Sequence, residues 1–304
     1  MSDRPSLRSS IPIAANGARG KIAGVNRFAQ LARLAHALPF VLALEGASGT
    51  CASAAPAASA PPPSPSAAAS GAAVGDDAAA LARLDWLYQR RDDPATFAEA
   101  HRLAGAAITK APSSYEVLWR AARETFSETD QPNRSADERS RLGKAAYDLA
   151  LRAIAANPNR VEGHYWATLG IGRHAETMGV MRALANGIEG KFTGPLERAT
   201  ALDVRYDHGN IPVVWAAYYL ELPWPKRDRA KAAAKLRQAL EINPASLRAR
   251  LYQARLALSE DHPAEARALL DGIAAARVGR YDPPEERAVK KEAAELAATV
   301  PRSP

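Results

Sequence analysis

A chain of 304 residues, 47% hydrophobic and 24% charged, has the makeup of a folded protein and the length for a sizeable core. Its formal charge is +7, but six basic residues against Asp3 and Glu45 place more than half of that excess in residues 1–54. No Lys/Arg run with interleaved aromatics follows, which argues against nucleic acid as a partner, and the single cysteine, Cys51, excludes an intrachain disulfide.

Residues 1–54 are predicted to form an export signal. Arg27 and Arg33 precede an apolar run, Leu38 to Leu44, and Ala52-Ser53-Ala54 resembles an A-x-A cleavage site. The run is too short to span a bilayer, and Glu45 shortens it further. A disordered cytoplasmic tail is the competing reading. Cys51 is a candidate lipidation site, although Ser48-Gly49-Thr50 matches lipoprotein signals poorly and cleavage after Ala54 would remove it. The expected location is the periplasm, or attachment to the outer membrane of a Gram-negative bacterium, with such an anchor as the only membrane contact. Residues 55–77 form an Ala/Pro/Ser-rich linker, expected to be disordered because it cannot bury enough apolar area to offset ordering entropy.

Residues 78–304 contain an internal repeat. Pro112, Pro158 and Pro244 each close an alanine-rich stretch. At offsets of 12, 8 and 5 before them lie Ala100, Ala104 and Ala107; Ala146, Ala150 and Ala153; and Ala232, Leu236 and Ala239. Two further units end at Val204 and Val278, with Phe192, Leu196 and Ala199, then Ala266, Leu270 and Ile273. These offsets fall on one helix face, so each stripe must pack on a partner. The anchors are spaced by 46, 46, 40 and 34 residues. The last spacing is the tetratricopeptide period, and the stripe resembles the second helix of that repeat. Residues 127–135 and 221–229 read as insertions between paired helices. Gly194-Pro195 is expected to bend or break the second helix of the third unit. The predicted fold is all-α, a tetratricopeptide-like superhelix of about five helical hairpins; an irregular helical bundle is the alternative.

The stretch GHYWATLGIGRHAE, residues 163–176, follows Pro158 and begins the third unit. Trp166-x-x-Leu169-Gly170 matches the W-x2-L-G start of a first helix, with Gly170 admitting close approach of a neighbour. Tyr165 and His174 are expected to look outward. His164 and His174 lie about 80° apart around a helix and roughly 15 Å along it, too far for one metal ion. No cofactor or metal site is predicted. No nucleotide-binding, P-loop, GxSxG or HExxH motif occurs, so no catalytic residue is nominated. Glu128 and Asp130 are expected to be solvated, and Asp92-Asp93-Pro94 reads as a helix start. Tyr218, Tyr219 and Trp224 are the candidates for an exposed contact, near a helix end and a Pro-bounded loop.

Two stretches, HYWATLGIGRHAE and GPLERATALDVRYDHGNIPVVWAAYYLELPWPKRDRAKAAAKLRQALEINP, resemble the T-component family of TRAP transporters. These are periplasmic tetratricopeptide-like proteins. Gly194, Pro195, Asp203, Tyr206, Pro223, Trp224, Pro225 and Asp228 carry the likeness. Val204 replaces an expected proline, and Asn210-Ile211 depart from a glycine pair. The resemblance implies a non-enzymatic envelope subunit that docks a periplasmic solute-binding protein and can form homo-oligomers. A general envelope scaffold and a hydrolase with an unrecognised site are the competing readings.

Overall fold

The apolar stripes are the surfaces on which the helices pair. The computed structural model describes residues 74–132, 134–178, 187–222, 227–279 and 281–301. Among these it contains eleven helices and no strand: α1 (Val74–Tyr88), α2 (Pro94–Lys110), α3 (Tyr115–Glu128), α4 (Ala136–Ala156), α5 (Val161–Ala175), α6 (Ile188–Asp203), α7 (Tyr206–Glu221), α8 (Arg229–Ile242), α9 (Leu247–Ser259), α10 (Pro263–Ala275) and α11 (Pro283–Thr299). The first ten form five antiparallel hairpins, α1/α2 to α9/α10, and α11 caps the array by packing on α9 and α10. The fold is the all-α superhelix that the repeat predicts. Cys51 and the residues read as leader lie outside the described residues.

The second helix of each hairpin (α2, α4, α6, α8 and α10) buries its stripe. Every stripe residue is buried except Ala107, which is partly so. In α2 and α4 the stripe is all alanine and lets the partner helix come close, while in α6, α8 and α10 it also carries Phe192, Leu196, Leu236, Leu270 and Ile273.

The closing prolines have one geometry. Each follows a C-cap residue (Ala111, Asn157 or Asn243) whose φ is −136°, −152° or −137°. That extended backbone is what a residue before proline adopts. Each cap N–H still bonds the carbonyl four residues back. Asn157 and Asn243 also accept the N–H two residues on, each at 3.1 Å, closing the turn. Ser114 and Ser246 then cap α3 and α9. Asp93 caps α2 and Pro94 opens it, so the helix start read from Asp92-Asp93-Pro94 is there.

α5 lies at the centre, with twelve of its fifteen residues buried, so it shows no polar stripe. Trp166 and Leu169 are buried, and Trp166 packs against Tyr88, Phe126 and Tyr165. Gly170 sits against α4. A Cβ there would stand 2.7 Å from Tyr147 N and 2.9 Å from Gly143 O. Gly143 is its counterpart on α4, where a Cβ would meet His174 N at 2.7 Å and Gly170 O at 2.9 Å.

Two expectations are corrected. The helix α6 runs through Pro195 without interruption. Proline removes one backbone bond, but Phe192, Leu196 and Ala199 are each fully buried and hold the segment in register. Asp130 is not simply solvated: it accepts from the fully buried Arg173 at 2.8 Å. Glu128 likewise binds Arg134 at 2.6 Å. The insertions fall where expected, at the α3–α4 and α7–α8 turns.

Candidate functional site

The superhelix curls until its ends meet around a small cleft, about 70 Å³ in volume, that opens to solvent. First helices of the hairpins provide half of the residues in the wall. Tyr88 and Arg91 come from the α1–α2 corner, Tyr165, Trp166 and Leu169 from α5, and Arg248 from α9. The α8–α9 turn adds Asn243, Ala245 and Ser246, α9 also gives Leu247, and the start of α11 adds Tyr281, Asp282, Glu285, Glu286 and Val289.

The start of α7 has the most unusual backbone among the described residues. Asp207, His208 and Gly209 have φ of 52°, 57° and 83°, three left-handed residues in succession. Non-glycine residues in this region are strained by about 1–3 kcal/mol each, and such strain gathers at functional sites. Gly209 is required twice over, because a Cβ there would also stand 2.7 Å from Ile242 Cγ2. The turn places Asp207, His208 and Asn210 on the cleft wall. Tyr165 Oη donates to Asp207 Oδ2 at 2.6 Å, and Asn210 Nδ2 reaches both partners at 2.9 and 3.1 Å. Pro212 follows within the first right-handed turn, where its missing N–H would have no intrahelical partner.

Charged side chains pair between neighbouring helices. Burial pushes the Asp85 carboxyl up, but hydrogen bonding by Arg120 and the charge of Arg123 bring it below the ordinary value. Arg123 and Arg91 stack on Tyr88 at 4.1 Å each. Arg248 binds Glu285 and Glu292 at 2.7 Å each. Farther round, Arg173 pairs with Asp130 and Glu176. Glu221, at the end of α7, has its carboxyl pushed up to about 8, first by burial and also by the charge of Glu176, against the opposing charge of Arg255.

The sequence nominees fare unevenly. Tyr165 does not look outward; it is 1% exposed, because its ring packs between Trp166 and Tyr206 and its hydroxyl holds the α7 turn. His174 is half-buried and its Nδ1 meets Ser140 Oγ at 3.0 Å, tying α5 to α4. His164 Nε2 meets the Pro158 carbonyl at 2.9 Å, so the two histidines serve separate local contacts. Tyr218 is no exposed contact: it stacks on Phe192 and donates to Glu189 at 2.9 Å. Tyr219 is half-buried, stacked on Trp215 beneath Lys231. Trp224 lies outside the described residues. The Asp207–Gly209 turn is barely marked in the sequence, its one signal being Asp and Asn on either side of a glycine within an otherwise helical run. The pairs across the ring are not marked there either, since nothing local marks contacts so distant in sequence.

Comparison with known proteins fits this architecture. The family model for regulator of microtubule dynamics proteins 1-3 matches residues 80–211, which span α1 to the start of α7. The crystal structure of a thermophilic tetratricopeptide protein from Thermus thermophilus superposes with a TM-score of 0.53 at 19% identity, covering 73% of this chain and 99% of that one. No curated protein matches the chain. The chain is thus similar in fold to tetratricopeptide proteins.

Proposed function

We propose that this protein is a non-enzymatic adaptor that binds a protein partner on its concave face. The carrying observation is the cleft itself, where aromatic and charged side chains from five parts of the superhelix converge on one surface. Repeat superhelices use such concave faces for binding. The match to a family named for regulating microtubule dynamics also supports an adaptor or regulator over an enzyme.

The finer reading follows the T-component resemblance. The partner is then a periplasmic solute-binding protein of a TRAP-type transporter, met after export directed by residues 1–54. The full chain, used as bait in periplasmic extract, should recover such a protein, and the variant Asp207→Ala with His208→Ala should recover less. Recovery of envelope-assembly proteins instead would favour a general scaffold. Repeated recovery of cytosolic chaperones alone would defeat both. Mass of the mature protein tests the leader: a new terminus near Ala55 means soluble export, and a diacylglycerol-sized increment on Cys51 means an anchor.

A further inference from the structure

The two ends of the superhelix are joined by a seam of ion pairs. Arg91, just past α1, binds Asp282, the N-cap of α11, through two parallel bonds of 2.9 Å. Beside it Arg287 of α11 donates to Asp92 at 2.6 Å. These partners are 191 and 195 residues apart in sequence. Around the ring, successive hairpins share buried apolar side chains. Among the described residues, none of these clusters joins α1 or α2 to α11.

We propose that this seam is an electrostatic latch whose release widens the central cleft. Arg91 and Asp282 both border the cleft, so parting them opens its wall. Each side of the latch is held in place independently of the other. Arg91 is fixed to its own corner by the Tyr88 carbonyl, at 3.1 Å, and by the Tyr88 ring. Asp282 is fixed to α11 by accepting from Glu285 N at 3.2 Å. The latch therefore parts at the ion pairs without unwinding either helix end. An apolar seam would resist salt, whereas ion pairs are screened, most of all the Arg287–Asp92 pair, whose side chains are 51% and 40% exposed. The Arg91–Asp282 pair is shielded, at 14% and 15%, and gives the closed state its persistence. Release of the seam widens the cleft whichever partner it takes.

The test uses the full chain with Cys51→Ser and spin labels at Gln89→Cys and Val278→Cys, two exposed positions flanking the seam. Low salt should give one short interlabel distance. In roughly 1 M salt, where the screening length falls to about 3 Å, a second, longer population should appear. Asp282→Asn with Arg287→Ala should show that longer population already at low salt; asparagine keeps the cap of α11 while removing the charge. Arg287→Asp alone should open the seam, and adding Asp92→Arg should restore the short distance. A distribution unmoved by salt and by every variant would overturn the latch. Should the double variant lose helix content, the wild-type salt series and the swapped pair decide.

Discussion

Replacing Gly170 by alanine tests the packing at the centre of the protein. In most exposed helix interiors this change stabilises, since alanine exceeds glycine in helix propensity by about 0.8–1 kcal/mol. Here the new methyl would stand 2.7 Å from Tyr147 N, 2.9 Å from Gly143 O and 3.1 Å from Tyr147 Cα. All three are backbone atoms of α4, so no side chain can swing aside and the two helices must separate. Overpacking of this kind costs about 1–3 kcal/mol, and separation also loosens Trp166 and Leu169 on the same helix. The net expectation is a loss of about 1–2 kcal/mol, or a fall in Tm of roughly 2–8 °C for a domain of this size. Gly105→Ala is the control: it lies within α2, and nothing stands within 4 Å of its Cβ position. That variant should gain about 0.5–1 kcal/mol. Gly143→Ala should resemble Gly170→Ala, and the double variant should cost less than the sum, because the helices need part only once. Differential scanning calorimetry reads all four. If Gly170→Ala raised Tm as Gly105→Ala does, the close α4–α5 contact would be wrong.

Three further outcomes are expected. Trp166→Ala, removing a side chain 3% exposed, should lower stability by about 3–5 kcal/mol in urea titration; unchanged stability with lost partner binding would mean that its face was misassigned. Gly209→Ala should cost at least about 1–3 kcal/mol, since it meets both the left-handed φ of 83° and Ile242, and a neutral result would contradict the turn geometry. Glu221 sets a pH dependence. Its folded value of about 8 exceeds the ordinary 4.5, so between these values the folded chain keeps a proton that the unfolded chain releases. Its stabilisation is full below about pH 4.5 and is lost as pH rises through 8, with a limiting slope of about 1.4 kcal/mol per unit. Glu176, pushed up to about 7 mainly by burial, acts in the same direction. Urea midpoints across pH 5 to 8.5 should fall less steeply in Glu221→Gln, and identical slopes would remove Glu221 from this account.

By itself the sequence determined what depends on near neighbours along the chain. Residues at offsets of 12, 8 and 5 before a proline share a helix face whatever surrounds them, so the pairing stripes could be read directly. The prolines at 112, 158 and 244 fix where helices stop, because proline constrains its own backbone and that of the residue before it. Trp166 and Gly170 were legible for the same reason. Direction at a crowded centre was not. Tyr165 and Tyr218 look like contact residues in sequence, yet their hydroxyls find Asp207 and Glu189 inside, and only the packing of neighbouring hairpins supplies those partners. Small rotations between hairpins accumulate along a solenoid, and they decide that Arg91 arrives at Asp282 across 191 residues. Whether the array closes, and so whether it has a cleft bordered by that pair, is a property of the summed curvature and of no single segment.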